Sequence, residues 1–433
     1  LIGYIGKITE KDLTLPENQD YLLTDIIGKT GLEYQYEKML KGEDGKKMIE
    51  VDSLGKEKKL VASKEPQSGQ NITLSIDLGL QKTLDQSLKK MIAGTNSPGG
   101  AAIAIDPRNG EILAMASAPG FNSNEFVKGI SVENFEKLIS DPDRPLFMRA
   151  VSAQYPPGST IKPVIASAAL QEGVITPQTT IMSAGGLRVG PNFFPDWKAG
   201  GHGLTDVKKA LAESVNTFFY TVGGGFEDFT GLGVDRINQY AHLFGLGEPL
   251  GIDFPSEASG FLPTKQWKED SKGERWYLGD TYHLSIGQGD ILVTPLQVAD
   301  YTAAIANGGT LYQPQIVKSI KNPALDQIIK KDPLVIRDNF ISPVYLNTVR
   351  EGLRQAVTSG SASALQNVPV SVAGKTGTAQ IGNENRTHAW FTGFAPYESP
   401  EIVITVIVEK GGEGHAAALP VAKDGFNWYF NQK

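Results

Sequence analysis

Two apolar runs of strand length, Gly100–Asp106 and Gly110–Ala116, sit side by side early in the chain, and three more, Val370–Ile381, His388–Phe394 and Glu401–Glu409, come about 250 residues later. The first two are joined by Pro107-Arg-Asn-Gly110, and an Asn-Gly turn between strand-like runs signals a hairpin. The stretch between the early and late strands, roughly 155 to 360, reads as helix-rich. Asp77 can cap a helix running to about Ile92, and Ala416–Phe430 reads as a closing helix. Such a chain is an α/β (α+β) protein whose one antiparallel sheet is assembled from both ends of a domain.

Composition removes several classes of chemistry. The 433 residues contain no cysteine, so disulfides, zinc–thiolate sites, iron–sulfur clusters and a cysteine nucleophile are excluded. Lys plus Arg number 41 and Asp plus Glu 48, a net charge of −7, which leaves no basic surplus for nucleic acid. No stretch approaches the apolar length of a membrane helix; the best run, Ile402–Val408, is strand-sized. The chain starts at Leu1 with no basic-then-apolar leader, and it reads as a soluble fragment whose native anchor would lie upstream.

Residues 1–68 differ in texture from the rest. Glu37–Lys59 is crowded with Lys, Glu, Asp and Gly; Gly31–Leu40 reads as a short amphipathic helix, and Lys64-Glu-Pro-Gln-Ser-Gly-Gln70 as a linker. Two units are expected: a partial non-catalytic pedestal over 1–68, and a catalytic domain over 69–433.

Three short patterns carry chemistry. In Ser159-Thr-Ile-Lys162 the Ser and Lys share one helix face, so they can share a hydrogen bond in which Lys162 is the base that activates the hydroxyl. Pro156-Pro-Gly158 makes a tight entry that sets Ser159 at a helix N-terminus, where free N–H groups favour developing negative charge. Ser-x-x-Lys also occurs at Ser53/Lys56 and Ser87/Lys90, as composition alone predicts roughly twice in a chain this long, but neither has an entry turn and a buried helix. Ser214-Val-Asn216 is the only Ser-x-Asn. It falls in a break between a helix that Thr205 can cap and the apolar run Phe218-Phe-Tyr220. Its hydroxyl can relay a proton, and its amide can both donate and accept.

Lys375-Thr-Gly-Thr378 lies in a strand-like segment. Gly377 allows an extended substrate backbone to pair closely with that strand, and Lys375, Thr376 and Thr378 can hold a carboxylate. The backbone N–H groups of Thr378 and Ser159 can form an oxyanion hole. Lys29-Thr-Gly31 repeats the pattern but precedes both other motifs and leads into a helix-like run. Gly28-Lys-Thr30 lacks the first glycine of a phosphate-binding loop.

The ordered set Ser-x-x-Lys, Ser-x-Asn and Lys-Thr-Gly is the signature of class A β-lactamases and penicillin-binding proteins. Here 55 residues separate Ser159 from Ser214 and 159 separate Asn216 from Lys375. Val215 stands where the signature has Asp, a position that varies among transpeptidases. Ala101–Ser117, Tyr155–Pro163, Ser285–Asp290 with Thr294–Gln297, and Ala389–Pro396 resemble class B penicillin-binding protein transpeptidase domains. Gly3–Gly6 and Ile27–Glu33 resemble their elongation-type branch.

The resemblance implies a five-stranded antiparallel sheet flanked by helices and a D,D-transpeptidase acting through a serine acyl-enzyme at Ser159. It implies stem peptides ending in D-Ala-D-Ala as substrate, acylation by β-lactams, and no cofactor. It also implies a site on the extracytoplasmic face of the bacterial cytoplasmic membrane. Partners would be shape-determining membrane proteins and a SEDS-type glycosyltransferase, met through the N-terminal region. The alternatives are a D,D-carboxypeptidase or β-lactamase, and a β-lactam sensor without turnover.

Histidines 202, 242, 283, 388 and 415 show no paired metal-ligand spacing. Some elongation-type relatives carry a structural metal near the region of Asp196, His202 and Asp206; without cysteine none is expected here. Trp390 and Phe391 read as strand core and Gly223-Gly-Gly225 as a loop.

Overall fold

The computed structural model describes residues 1–127, 129–382 and 386–432. Its centre is one five-stranded antiparallel sheet: β1 (Gly100–Ile105), β2 (Ile112–Ala118), β3 (Ala373–Gln380), β4 (Thr387–Ala395) and β5 (Ile402–Val408), in the order β3-β4-β5-β1-β2. The sheet joins the early hairpin to the late strands across β5 and β1, with Thr405 opposite Ile103. The early turn is closed by Gly110 N–H donating to Asp106 O at 2.9 Å. Among the described residues β3 is an edge strand, paired with β4 alone.

Alternation along the strands explains the layers. In β1, Ala102 and Ala104 face one side, while Ala101, Ile103 and Ile105 face the other. The first side is covered by helices α1 (Leu78–Thr95) and α7 (Gly414–Asn431), through Leu80, Leu84, Leu88, Leu419 and Phe426. The second is covered by α2 (Lys162–Gln171) and α5 (Pro295–Asn307), through Val164, Ile165, Ala299 and Tyr301. A central layer buried on both faces reads as continuous apolar sequence, as β5 does with all seven residues buried. Asp77 caps α1, accepting from Gly79 N–H at 2.9 Å and Leu80 N–H at 3.0 Å, as expected.

Several local expectations change. The helix over 31–40 is two short pieces, Gly31–Gln35 and Glu37–Leu40, broken at Tyr36. The break turns Tyr36 inward: Leu32 and Tyr36 join the main core, and the Tyr36 hydroxyl donates to Asp253 at 2.7 Å. The segment taken as a linker is ordered by contact, Gln67 pairing with Glu43 and Gln70 N–H donating to Met39 O at 2.8 Å. It continues into Asn71–Leu74, which pairs with Val317–Asn322. The charged stretch is a hairpin, Lys46–Val51 with Glu57–Lys64, exposed at every position. The helical middle also contains small hairpins over 181–205, which its Gly and Pro content concealed. Gly223 and Gly224 end a helix, α4 (Asn216–Gly224), with only Gly225 beyond it. Asp206, not Thr205, caps α3 (Val207–Ala212), accepting from Lys209 N–H at 2.8 Å. A carboxylate at the first turn satisfies an N–H and meets the positive end of the dipole.

Candidate active site

Ser159 stands in a 3-10 turn, Gly158–Ile161, that runs directly into α2. The turn is held by close backbone packing. Gly158 N–H donates to Gly287 O at 2.9 Å, and a Cβ on Gly287 (φ +74°) would lie 2.2 Å from Gly158 O. Only glycine allows the 285–290 segment to approach this near. Trp390 Nε1 donates to Pro156 O at 3.0 Å, and the Tyr301 hydroxyl to Thr160 O at 2.8 Å, so β4 and α5 clamp the same turn. α2 is buried from Lys162 to Leu170, which fixes Lys162 rigidly.

Lys162 is fully buried. Its Nζ donates to Asn216 Oδ1 at 2.6 Å and to Ser214 O at 2.9 Å, and lies 3.3 Å from Ser214 Oγ. The second motif thus meets the first, at the predicted break between α3 and α4. Ser214 adopts φ +56°, the left-handed region that costs an L-residue energy, and this turns its carbonyl toward Lys162. Among the described residues, Ser159 Oγ is not hydrogen-bonded to Lys162; the lysine's partners come from the Ser-Val-Asn segment instead.

Asp196 organises that segment from behind. Its carboxylate accepts from Thr217 N–H at 2.9 Å, Thr217 Oγ1 at 2.8 Å and Asn216 N–H at 3.3 Å, capping the start of α4. His202 Nε2 lies 3.6 Å from Asp196, while its Nδ1 lies 2.6 Å from Glu213 Oε2. Asp196 and His202 therefore approach each other, but Asp206 serves α3 instead. Among the described residues, no group of three His, Asp or Glu is arranged to hold a metal.

The third motif lies on β3. Lys375 is fully buried, with Nζ donating to Thr376 O at 2.8 Å. Thr376 Oγ1 donates to Ser361 Oγ at 2.9 Å, and Thr378 Oγ1 to Glu413 Oε2 at 2.8 Å. Gly377 faces the serine turn, where a Cβ would meet Thr160 Cγ2 at 3.0 Å and Pro157 O at 3.3 Å. Lys29, of the other Lys-Thr-Gly, is ion-paired with Asp12 near the N-terminus.

Ser159, Ser214, Asn216, Thr376, Gly377 and Thr378 all line one cleft of about 1150 Å³. Burial drives both lysines toward neutrality. Lys375 is brought down to about 7, and Lys162 falls well below the usual lysine range through burial first and repulsion from Lys375 second, with Asp196 opposing. A buried neutral amine beside a hydroxyl can take a proton; neighbouring hydroxyls and N–H groups along an edge strand can bind a carboxylate and an oxyanion. Glu413 and Ser361 had no motif to mark them. Each reaches the cleft from a loop that only tertiary packing brings there.

A sequence profile described as the penicillin-binding protein transpeptidase domain matches residues 100–427, and one described as the penicillin-binding protein dimerisation domain matches residues 1–74. The chain is 37% identical to the peptidoglycan D,D-transpeptidase MrdA of Haemophilus influenzae, over 100% of its own length and 68% of that protein's. It thus spans about two thirds of that relative. Among solved structures, PBP2 of Helicobacter pylori in complex with MreC is 34% identical with a TM-score of 0.87, covering 100% of this chain and 78% of that one. Pseudomonas aeruginosa PBP2 in complex with WCK 5153 is 33% identical with a TM-score of 0.83, covering 99% and 87%. The chain belongs to the penicillin-binding protein transpeptidase family, in its elongation-type branch.

Proposed function

We propose that the chain is a peptidoglycan D,D-transpeptidase of cell elongation, working through an acyl-enzyme on Ser159. The observation that carries this is Lys162, buried and depressed in pKa, 2.6 Å from Asn216 in the cleft that also holds Ser159 and the Thr376–Thr378 edge.

A stem peptide ending in D-Ala-D-Ala lies along the free edge of β3, its terminal carboxylate at Thr376 and Thr378, with Lys375 buried behind them and bonded to Thr376 O. The Ser159 hydroxyl attacks the penultimate D-Ala carbonyl. The N–H groups of Ser159 and Thr378 receive the oxyanion. The proton passes to neutral Lys162, directly or through Ser214. A neutral amine has two N–H groups, which suit Ser214 O and Asn216 Oδ1, and one lone pair left for a proton. The amide breaks, D-alanine leaves with the proton, and an amine of a neighbouring stem peptide resolves the ester. β-Lactams acylate the same hydroxyl.

Residues 1–68 form a non-catalytic pedestal region and 69–433 the catalytic domain. The pedestal meets shape-determining membrane proteins and a SEDS-type glycosyltransferase at the extracytoplasmic face of the cytoplasmic membrane. Support for this comes from the dimerisation-domain match over residues 1–74 and from the Helicobacter pylori relative, solved together with MreC. Among the described residues no helix is long and apolar enough to cross a membrane.

The test is incubation with labelled penicillin, following adduct lifetime and D-alanine release from a cross-linkable stem peptide. A long-lived adduct on Ser159 with amine-dependent D-alanine release is expected. Rapid release of hydrolysed penicillin would instead indicate a hydrolase, and a stable adduct without any D-alanine release a sensor.

A further inference from the structure

We infer that His283 accepts a proton from the amine that resolves the acyl-enzyme, and so serves the second half of the reaction and not the first; this rests on the transpeptidase reading above.

His283 lies on the helix Leu278–Ser285 and lines the same cleft as Ser159 and Asn216. That helix is pressed onto α4: a Cβ on Gly224 would lie 2.5 Å from Tyr282 Cε1, and one on Gly223 only 1.8 Å from Ser285 Oγ. Its end is tied to the serine turn, because His283 O accepts from Gln288 N–H at 2.9 Å while Gly287 O accepts from Gly158 N–H at 2.9 Å. His283 is thus fixed on the wall built with α4, the helix that begins at Asn216. A donor peptide paired along β3 leaves this wall to the acceptor. The imidazole meets the Phe194 ring edge-on, with centroids 5.9 Å apart, and among the described residues no group hydrogen-bonds its nitrogens.

The charged groups around it are already committed. Asp280, one turn back on the same helix, is bound by Lys268 Nζ at 2.6 Å, and Asp290 by Lys272 Nζ at 2.7 Å. On the cleft wall Asp196 holds the start of α4 and Glu213 faces His202. Burial lowers the imidazole below the ordinary histidine value, with Asp280 opposing, so the ring is neutral near pH 7 and able to accept. The second half of the reaction needs such a group. An acceptor amine arrives as an ammonium. It loses one proton to attack the ester carbonyl and a second once the C–N bond has formed. The second passes through Lys162 to the Ser159 oxygen as the ester C–O bond breaks, which regenerates the hydroxyl. Lys162 has one lone pair and cannot hold both. The first proton goes to His283, and from there to water through the open cleft.

Acceptors of different basicity separate a base from a structural support. A thioester donor forms the acyl-enzyme on the full chain, and transfer to two acceptors is compared at neutral pH in wild type and His283→Gln. One acceptor is a stem peptide presenting an alkylamine, which is charged there; the other is hydroxylamine, which is already neutral. Amide or hydroxamate formed per acyl-enzyme is followed by mass spectrometry, and the rate of benzylpenicillin acylation checks folding and the first half of the reaction. Transfer to the stem peptide should fall about a hundredfold in His283→Gln, the lower end of what a positioned base contributes. Transfer to hydroxylamine and acylation by benzylpenicillin should be unchanged, because neither requires that proton to be removed. Equal losses with both acceptors, or no loss with either, overturns the assignment of His283 alone. Absence of transfer to both acceptors in wild type, or of benzylpenicillin labelling at Ser159, overturns the transpeptidase reading and this inference with it.

Discussion

Lys162 Nζ lies 2.6 Å from Asn216 Oδ1, and this bond ties together two motifs 54 residues apart in the chain. It also explains why Ser159 Oγ is free of Lys162 in the resting site: the lysine is already held by the Ser-Val-Asn segment. Positions of catalytic groups often tighten only when substrate arrives.

Ser159→Ala should abolish covalent penicillin labelling while the protein stays folded. The side chain is half-buried and its hydroxyl anchors nothing among the described residues, so stability should change by about 0.5 kcal/mol or less. Mass spectrometry of the treated variant checks this. Any remaining adduct would move the nucleophile elsewhere.

Lys375 should matter for acylation and Lys29 should not. Lys375 Nζ holds Thr376 O from behind the cleft wall at 2.8 Å, so Lys375→Ala loosens the carboxylate site, a loss of about 1–1.5 kcal/mol or roughly tenfold in acylation efficiency. Lys29 serves an ion pair with Asp12 and does not line the cleft, so Lys29→Ala should leave the rate unchanged. Comparable losses from both would mean the wrong Lys-Thr-Gly was chosen.

Lys375 also makes stability depend on pH. Its folded pKa of about 7 is below the unfolded value, so the unfolded chain binds the extra proton between the two. The resulting cost to folding is fully present below about pH 7 and fades as pH rises toward the ordinary lysine value. Lys375→Met removes it, and should raise unfolding free energy by about 1–4 kcal/mol near neutrality. Denaturant titrations of both proteins should show this gap closing as pH increases. A gap that widens with pH would contradict the assignment.

Glu409→Gln should destabilise the frame of the serine turn. Glu409 Oε1 accepts from the Tyr155 hydroxyl at 2.6 Å and from Arg149 Nε at 3.1 Å, and the Arg149 side chain is 3% exposed. The guanidinium then keeps only the backbone carbonyls of Asp143, at 2.7 Å, and Arg144, at 3.3 Å, and loses its compensating charge, at about 3–5 kcal/mol. Thermal unfolding checks it, and a change below about 1 kcal/mol would mean those carbonyls suffice.

Removal of residues 1–67 should leave the acylation rate per folded molecule similar but lower stability. Leu32 and Tyr36 belong to the main core, and Tyr36 and Lys331 both bind Asp253, at 2.7 and 3.0 Å. Near-UV dichroism verifies folding before rates are compared. A well-folded truncated protein that acylates about a hundredfold slower, some 2.7 kcal/mol in barrier, would show that the pedestal controls the cleft directly.

By itself the sequence determined whatever depends on near neighbours and on period. Alternating apolar strands, the Asn-Gly hairpin and the Asp77 cap are written within a few residues each, and the structure has them within two or three residues of where they read. The i, i+3 spacing of Ser159 and Lys162 and the glycine at 377 were legible for the same reason. Tertiary structure alone decided what meets across long separations. It turned Tyr36 into the core and broke its helix there. It gave Lys162 to Asn216 rather than to Ser159, set Asp196 behind α4, and pressed Gly414 onto β3 so that Glu413 reaches Thr378. None of these has a local signature, because each is fixed by packing density and by buried polar groups seeking partners. The depressed pKa values of Lys162 and Lys375 belong to the same class: they arise from burial, which is a property of the fold and not of the motif.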